Sequence, residues 1–213
     1  MTTQLTVTSF SYFLIFCAAM TFSPGPMTLL LMGFGMQEGM QRSMAVQLGA
    51  SAAYLVSILI FAVGFAELVK DHALISQVIQ GVGVTYLLYL AWRQWTAGAL
   101  ALERPITTPH TSFEARFSKG LVTGFSNPKT MVMFGAVFPQ FAGQGSHTQA
   151  LDVALLGAAF LMLQFTSGCL YCYFGQRIKQ QLKDPARQIL LQRATALMLV
   201  AVAVMLIRAG QFY

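Results

Sequence analysis

The 213-residue chain is 56 % hydrophobic and 9 % charged, with a mean hydropathy of +0.62 and a formal net charge of +6. Soluble domains of this size carry about a quarter charged residues, so the composition excludes an ordinary soluble domain and points to an integral membrane protein. The basic residues flank apolar stretches without a recognition module, so the positive charge reads as an orientation signal and a contact with lipid headgroups, not as a nucleic-acid surface.

The first charged residue is Glu38. A helix needs about 20 apolar residues to cross the hydrocarbon, so the N-terminal run starts a span. It does not read as a cleaved signal peptide, because residues 1–9 hold no Lys or Arg and no small-x-small site closes the run. Six apolar segments follow one another: Ser9–Met32, Met44–Ala66, Ala73–Trp92, Leu121–Phe141, Val153–Gly175 and Leu190–Ile207. Trp92 and Trp95 end the third as interfacial aromatics do. The polar stretch 96–116, with Pro105 and Pro109, reads as a solvated loop between a first half at 1–95 and a second at 117–213. Arg42, Arg93, Arg104, Arg116, Lys119, Arg177, Lys179, Lys183, Arg187 and Arg193 follow the odd-numbered spans, whereas the other side holds Lys70 and Arg208. The positive-inside rule therefore places the odd loops in the cytoplasm and both termini outside.

Two near-matching segments interrupt the apolar runs: Phe22-Ser23-Pro24-Gly25-Pro26 and Phe125-Ser126-Asn127-Pro128-Lys129. Prolines lack the amide hydrogen and obstruct the preceding turn, freeing carbonyls that hydrocarbon cannot satisfy. Thr21, Ser23, Thr28, Ser126, Asn127 and Thr130 are placed to repair them. Counting from Phe117 at about 1.5 Å per residue puts Lys129 roughly 18 Å along its helix, near the midplane of a core about 30 Å thick. An unpaired lysine there costs about 3 kcal/mol on insertion scales, so a polar cavity is expected. With three spans per half, the second half runs inverted relative to the first. This is the plan of transporters whose broken helices meet at the midplane. The expected fold is thus an all-α membrane protein of six helices, in two inverted three-helix repeats with helices 1 and 4 broken. Purely structural kinks are the competing reading.

Lys129 and the resumed helix ends after Pro26 and Pro128 favour a carboxylate, and no Asp or Glu lies deep in a span, which disfavours a metal cation or polyamine. Ser23, Pro24, Gly25, Pro26, Ser126, Asn127, Pro128 and Lys129 form the expected substrate site. Glu67 and Asp152, at outer span ends, are candidate proton carriers. Cys17, Cys169 and Cys172 read as packing residues, and the three histidines have no i, i+4 partner, so neither metal nor cofactor is expected.

Several motifs are similar to those of a known family: Ser23-Pro24-Gly25-Pro26, the spacing Gly39, Arg42, Gly49, the run Tyr86 to Trp92, Phe117 to Gly120, Asn127-Pro128-Lys129 and Phe138-Pro139-Gln140-Phe141. Over nearly its whole length the chain resembles the lysine exporter and homoserine/threonine resistance (LysE/RhtB) family of bacterial inner-membrane amino-acid efflux carriers. It departs from that pattern at Ala91, where the family usually has Gly, and at Ser167-Gly168, where many members carry an acid. The resemblance implies proton-driven export of an amino acid or derivative by alternating access, with Gly39 and Arg42 at an inner gate and Phe138, Pro139 and Gln140 at an outer exit. A neutral substrate is expected beside Lys129, since like charges repel at low dielectric. Two other classes stay open: a Ser/Lys intramembrane hydrolase built on Ser23, Ser126 and Lys129, and a non-transporting assembly subunit. Small residues such as Gly49, Ala53, Gly81 and Gly83 suit close helix packing within the chain or in a homodimer.

Overall fold

The computed structural model describes residues 6–23, 25–62, 73–96, 112–141, 149–181 and 184–209, and all regular structure among them is helical. The helices are α1 (Val7–Phe22), α2 (Pro26–Ile60), α3 (Ala73–Thr96), α4 (Phe113–Phe125), α5 (Pro128–Val132), α6 (Phe138–Phe141), α7 (Gln149–Gln181) and α8 (Pro185–Ala209). A π-helical stretch, Met133–Val137, joins α5 to α6.

Among the described residues, two helical segments are by length and composition apolar enough to cross a membrane, Pro26–Ile60 and Ala150–Gly175, while Val7–Phe22 is apolar but shorter. Large apolar side chains face outward all round, among them Ile60, Val82, Trp92, Met162 and Leu190. Such an apolar exterior suits hydrocarbon and not water.

The first two expected spans are not separated by an irregular loop. Helix α2 runs from Pro26 to Ile60 and changes direction at Gly39, whose φ is +79°. Only glycine adopts that conformation without a Cβ penalty, so the residue sets the bend between an arm before it and an arm after it. The second half breaks earlier: α4 ends at Phe125, and the helix resumes at Pro128 with Asn127 as its cap.

Helix α2 packs most extensively on α4 and α7, and α3 packs on α8. Backbones meet at glycines. A Cβ on Gly49 would lie 2.0 Å from the Phe117 carbonyl, one on Gly120 2.0 Å from the Val46 carbonyl, and one on Gly35 2.3 Å from the Cys172 carbonyl. Where hydrophobic solvation cannot drive helices together, this proximity supplies dispersion contacts. Gly81, in contrast, has open space around it.

At one end of the α2–α4 seam, Glu38 pairs with Arg116 at 2.6 Å, with side-chain exposures of 10 % and 12 %. One turn away, the Lys119 ammonium lies 5.5 Å from the Phe34 ring centroid. Buried Phe138 packs edge-on against Phe13, Phe61 and Phe134, with centroids 4.9 to 5.5 Å apart.

Candidate functional site

The break after α1 follows from covalent chemistry. In an unbroken helix the carbonyls of Met20 and Phe22 would accept from the N–H groups of residues 24 and 26, and both are prolines. The released carbonyls are satisfied from elsewhere. Ser23 Oγ donates to the Met20 carbonyl at 2.9 Å. From α7, Ser167 Oγ donates to the Thr21 carbonyl and the Tyr171 hydroxyl to the Phe22 carbonyl, each at 2.8 Å. The Gly25 N–H, the natural partner of Thr21, turns to Thr28 Oγ1 at 2.7 Å. Backbone repair by neighbouring helices is what a break at membrane depth requires.

The second break sends Lys129 into the first. Asn127 Oδ1 accepts from the Lys129 N–H at 3.1 Å and starts α5. The Lys129 ammonium then reaches the carbonyl of Ser23 at 2.9 Å and that of Met20 at 3.5 Å, and also hydrogen-bonds Ser23 Oγ. Gly25 leaves room for the lysine stem, since a Cβ there would sit 3.0 Å from both its Cε and Nζ.

Around this contact lies a cavity of about 30 Å³, space for one or two waters. Met20, Met27, Met133 and Phe160 give it apolar walls, and Thr21, Ser23, Thr28, Tyr54, Asn127, Lys129, Thr130 and Gln164 give it polar ones. No acidic residue is among the described lining residues. The buried Tyr54 hydroxyl approaches the side chains of Asn127 and Thr130. Gln164 is 5 % exposed, and its Nε2 has no hydrogen-bond partner among the described residues.

Of the expected substrate residues, Ser23, Gly25, Asn127 and Lys129 meet at this cavity. Pro26 and Pro128 each open a resumed helix. Ser126 is exposed and caps the end of α4, away from the lining. Pro24 and Glu67 lie outside the described residues. Arg42 is exposed near the Gly39 bend, where the ion pair joins Glu38 to Arg116 instead. Phe138 is fully buried, Pro139 partly buried, and Gln140 belongs to the same short helix. Asp152 is fully buried in the first turn of α7, and neither carboxylate oxygen has a hydrogen-bond partner among the described residues.

Sequence reasoning assigned no site role to Tyr54, Gln164, Ser167, Tyr171, Glu38 or Arg116. The signal for three of them was present: Phe160, Gln164, Ser167 and Tyr171 recur at three- and four-residue intervals, which places them on one face of α7.

The family model that aligns with residues 18–210 is that of the LysE type translocators. The chain belongs to the LysE translocator family. Among curated relatives it is 25 % identical over 199 residues to the homoserine/homoserine lactone efflux protein of Salmonella typhimurium, covering 92 % of this chain and 95 % of that protein. The corresponding Salmonella typhi protein matches at the same identity and coverage. An uncharacterized membrane protein of Vibrio cholerae is 28 % identical over 133 residues, 61 % of this chain and 62 % of that one. No solved structure matches the chain. Family membership makes this chain a LysE type translocator.

Proposed function

We propose that this translocator exports neutral amino acids or their derivatives across the bacterial inner membrane by proton-coupled alternating access. The observation that carries the reading is the Lys129 ammonium of one broken helix seated on the broken end of the other, beside a cavity lined by both. The chain is read as six spans in two inverted repeats, with both termini outside. The matching breaks at residues 22–27 and 125–130 support the repeat, and the basic loops support the orientation. Lys129 with the helix starts at Pro26 and Pro128 would bind the substrate carboxylate. The methionine and phenylalanine walls, together with the amide of Gln164, suit an uncharged side chain. The Salmonella relatives are named for homoserine and its lactone, both uncharged beyond the amino-acid groups themselves.

Access from the cytoplasm would be closed by Glu38–Arg116 and Lys119–Phe34, pivoting at Gly39 with Arg42 at the rim. The Phe138 cluster, with Pro139 and Gln140, would close the outer side. Asp152 is the proposed proton carrier, because its carboxylate is buried without a described hydrogen-bond partner; Glu67 is the second candidate. The open space at Gly81 would admit a second copy, and membrane lipids would cover the remaining exterior.

The contact between Lys129 and Ser23 also resembles a Ser/Lys hydrolase dyad. A general base must accept the serine proton, and Ser23 Oγ lies within hydrogen-bond reach of both the Met20 carbonyl and Lys129 Nζ. Efflux from proteoliposomes without labelling of Ser23 by a serine-reactive phosphonate would support the transporter; labelling without flux would support the hydrolase.

A further inference from the structure

The broken end of α1 gathers three acceptor oxygens around one cation. Met20 and Ser23 present carbonyls there, Ser23 adds its hydroxyl, and an ammonium with three N–H groups sits on all three. That ammonium belongs to Lys129, 106 residues away in sequence and on the other broken helix. A half-helix C-terminus concentrates partial negative charge on such carbonyls and binds cations without needing a carboxylate. The chain therefore holds a built cation site with its own side chain as occupant.

We propose that this cluster of the Met20 carbonyl, the Ser23 carbonyl and Ser23 Oγ is the ammonium subsite of the transporter. Lys129 holds it while the cavity is closed, and the substrate's α-ammonium takes it during export. This rests on the transporter reading and adds to it the group that recognises the amine. The two functional groups of an α-amino acid leave one carbon, so an ammonium entering the cluster brings its carboxylate beside the displaced lysine. The helix starts at Gly25 and Asn127 face the same cavity. Lys129 thus exchanges an intramolecular bond to carbonyls for an ion pair to the substrate. Its flexible four-carbon stem permits the movement, and Gly25 leaves the space for it. The cavity of about 30 Å³ is too small for an amino acid while the lysine is in place, which agrees with occupancy by one ammonium at a time.

The test has two arms. In detergent-purified protein, Lys129→Ala empties the cluster, and its melting temperature is followed with ethylammonium, tetramethylammonium or sodium chloride at equal concentration. The proposal expects ethylammonium alone to stabilise the variant and none of the three to stabilise the unmodified protein selectively. An equal response to all three salts, a response to sodium alone, or none, would overturn it. The second arm uses the unmodified protein and stands if Lys129→Ala does not fold. Inhibition of amino-acid counterflow is compared for 2-aminobutyrate, which carries both groups, and 2-hydroxybutyrate, which keeps the carboxylate and lacks the amine. A charged hydrogen-bonded group is worth about tenfold or more in affinity, so the amino acid should inhibit at least about tenfold more strongly. Equal inhibition, or stronger inhibition by the hydroxy acid, contradicts the subsite. An unmodified protein that moves no amino acid would contradict the transporter reading alone, since the cation arm requires no flux.

Discussion

The ammonium of Lys129 lies 2.9 Å from the carbonyl of Ser23, so the second broken helix closes the break in the first. Two interruptions that would each be unstable in hydrocarbon satisfy one another, with Ser167 and Tyr171 completing the repair.

Helix contact at glycine gives a graded stability test. Gly120→Val places side-chain carbon against the Val46 backbone, which cannot withdraw as a flexible side chain would, and should destabilise by about 3 kcal/mol or more. Gly81→Ala meets nothing and should be neutral or stabilise by up to about 1 kcal/mol through helix propensity. Thermal unfolding in detergent checks both; similar melting temperatures for the two variants would contradict the packing described.

At the seam end, Glu38→Gln removes one partner of a largely buried ion pair and should weaken the closed state by about 1–3 kcal/mol. Reversing both charges, with Glu38→Arg and Arg116→Glu together, should restore it. Maleimide labelling of a cysteine introduced at Met36, in inside-out vesicles, reports the change. Labelling should rise in the single variant and fall back in the double one, and an unaltered rate throughout would show that the pair is not part of a gate.

Much of this site was legible before any coordinates. A proline removes a hydrogen bond wherever it stands, and a lysine in an apolar run needs a partner, so residues 23–26 and 127–129 announced themselves locally. The partner groups did not, because Ser167, Tyr171 and Gln164 reach the break only through the rotation of α7, which its sequence leaves open. Glu38 and Arg116 are 78 positions apart and meet through the glycine-mediated seam. Span limits were blurred where helix continues through Gly39, since a single glycine with positive φ turns the chain without a loop.

Removing the amide of Gln164 should alter selectivity more than rate. Gln164→Leu deletes a cavity-lining donor, so export of an amino acid with a side-chain hydroxyl should fall about tenfold relative to its apolar isostere. Competition between homoserine and norvaline in counterflow measures the ratio; an unchanged ratio would remove Gln164 from recognition.

Asp152→Asn tests the coupling route. The variant should lose accumulation driven by an imposed pH gradient while keeping substrate counterflow, which needs no net proton movement. Gradient-driven transport at the unmodified rate would exclude Asp152 as the carrier.

On the proposed reading, Lys129 serves the substrate and not only the fold. Counterflow of a panel of radiolabelled amino acids from proteoliposomes, comparing the unmodified protein with Lys129→Met at equal insertion, tests it most directly. The account predicts flux of neutral amino acids in the unmodified protein and a loss of at least about a hundredfold in the variant, the equivalent of about 3 kcal/mol for a lost charged contact. Normal export by Lys129→Met would contradict it.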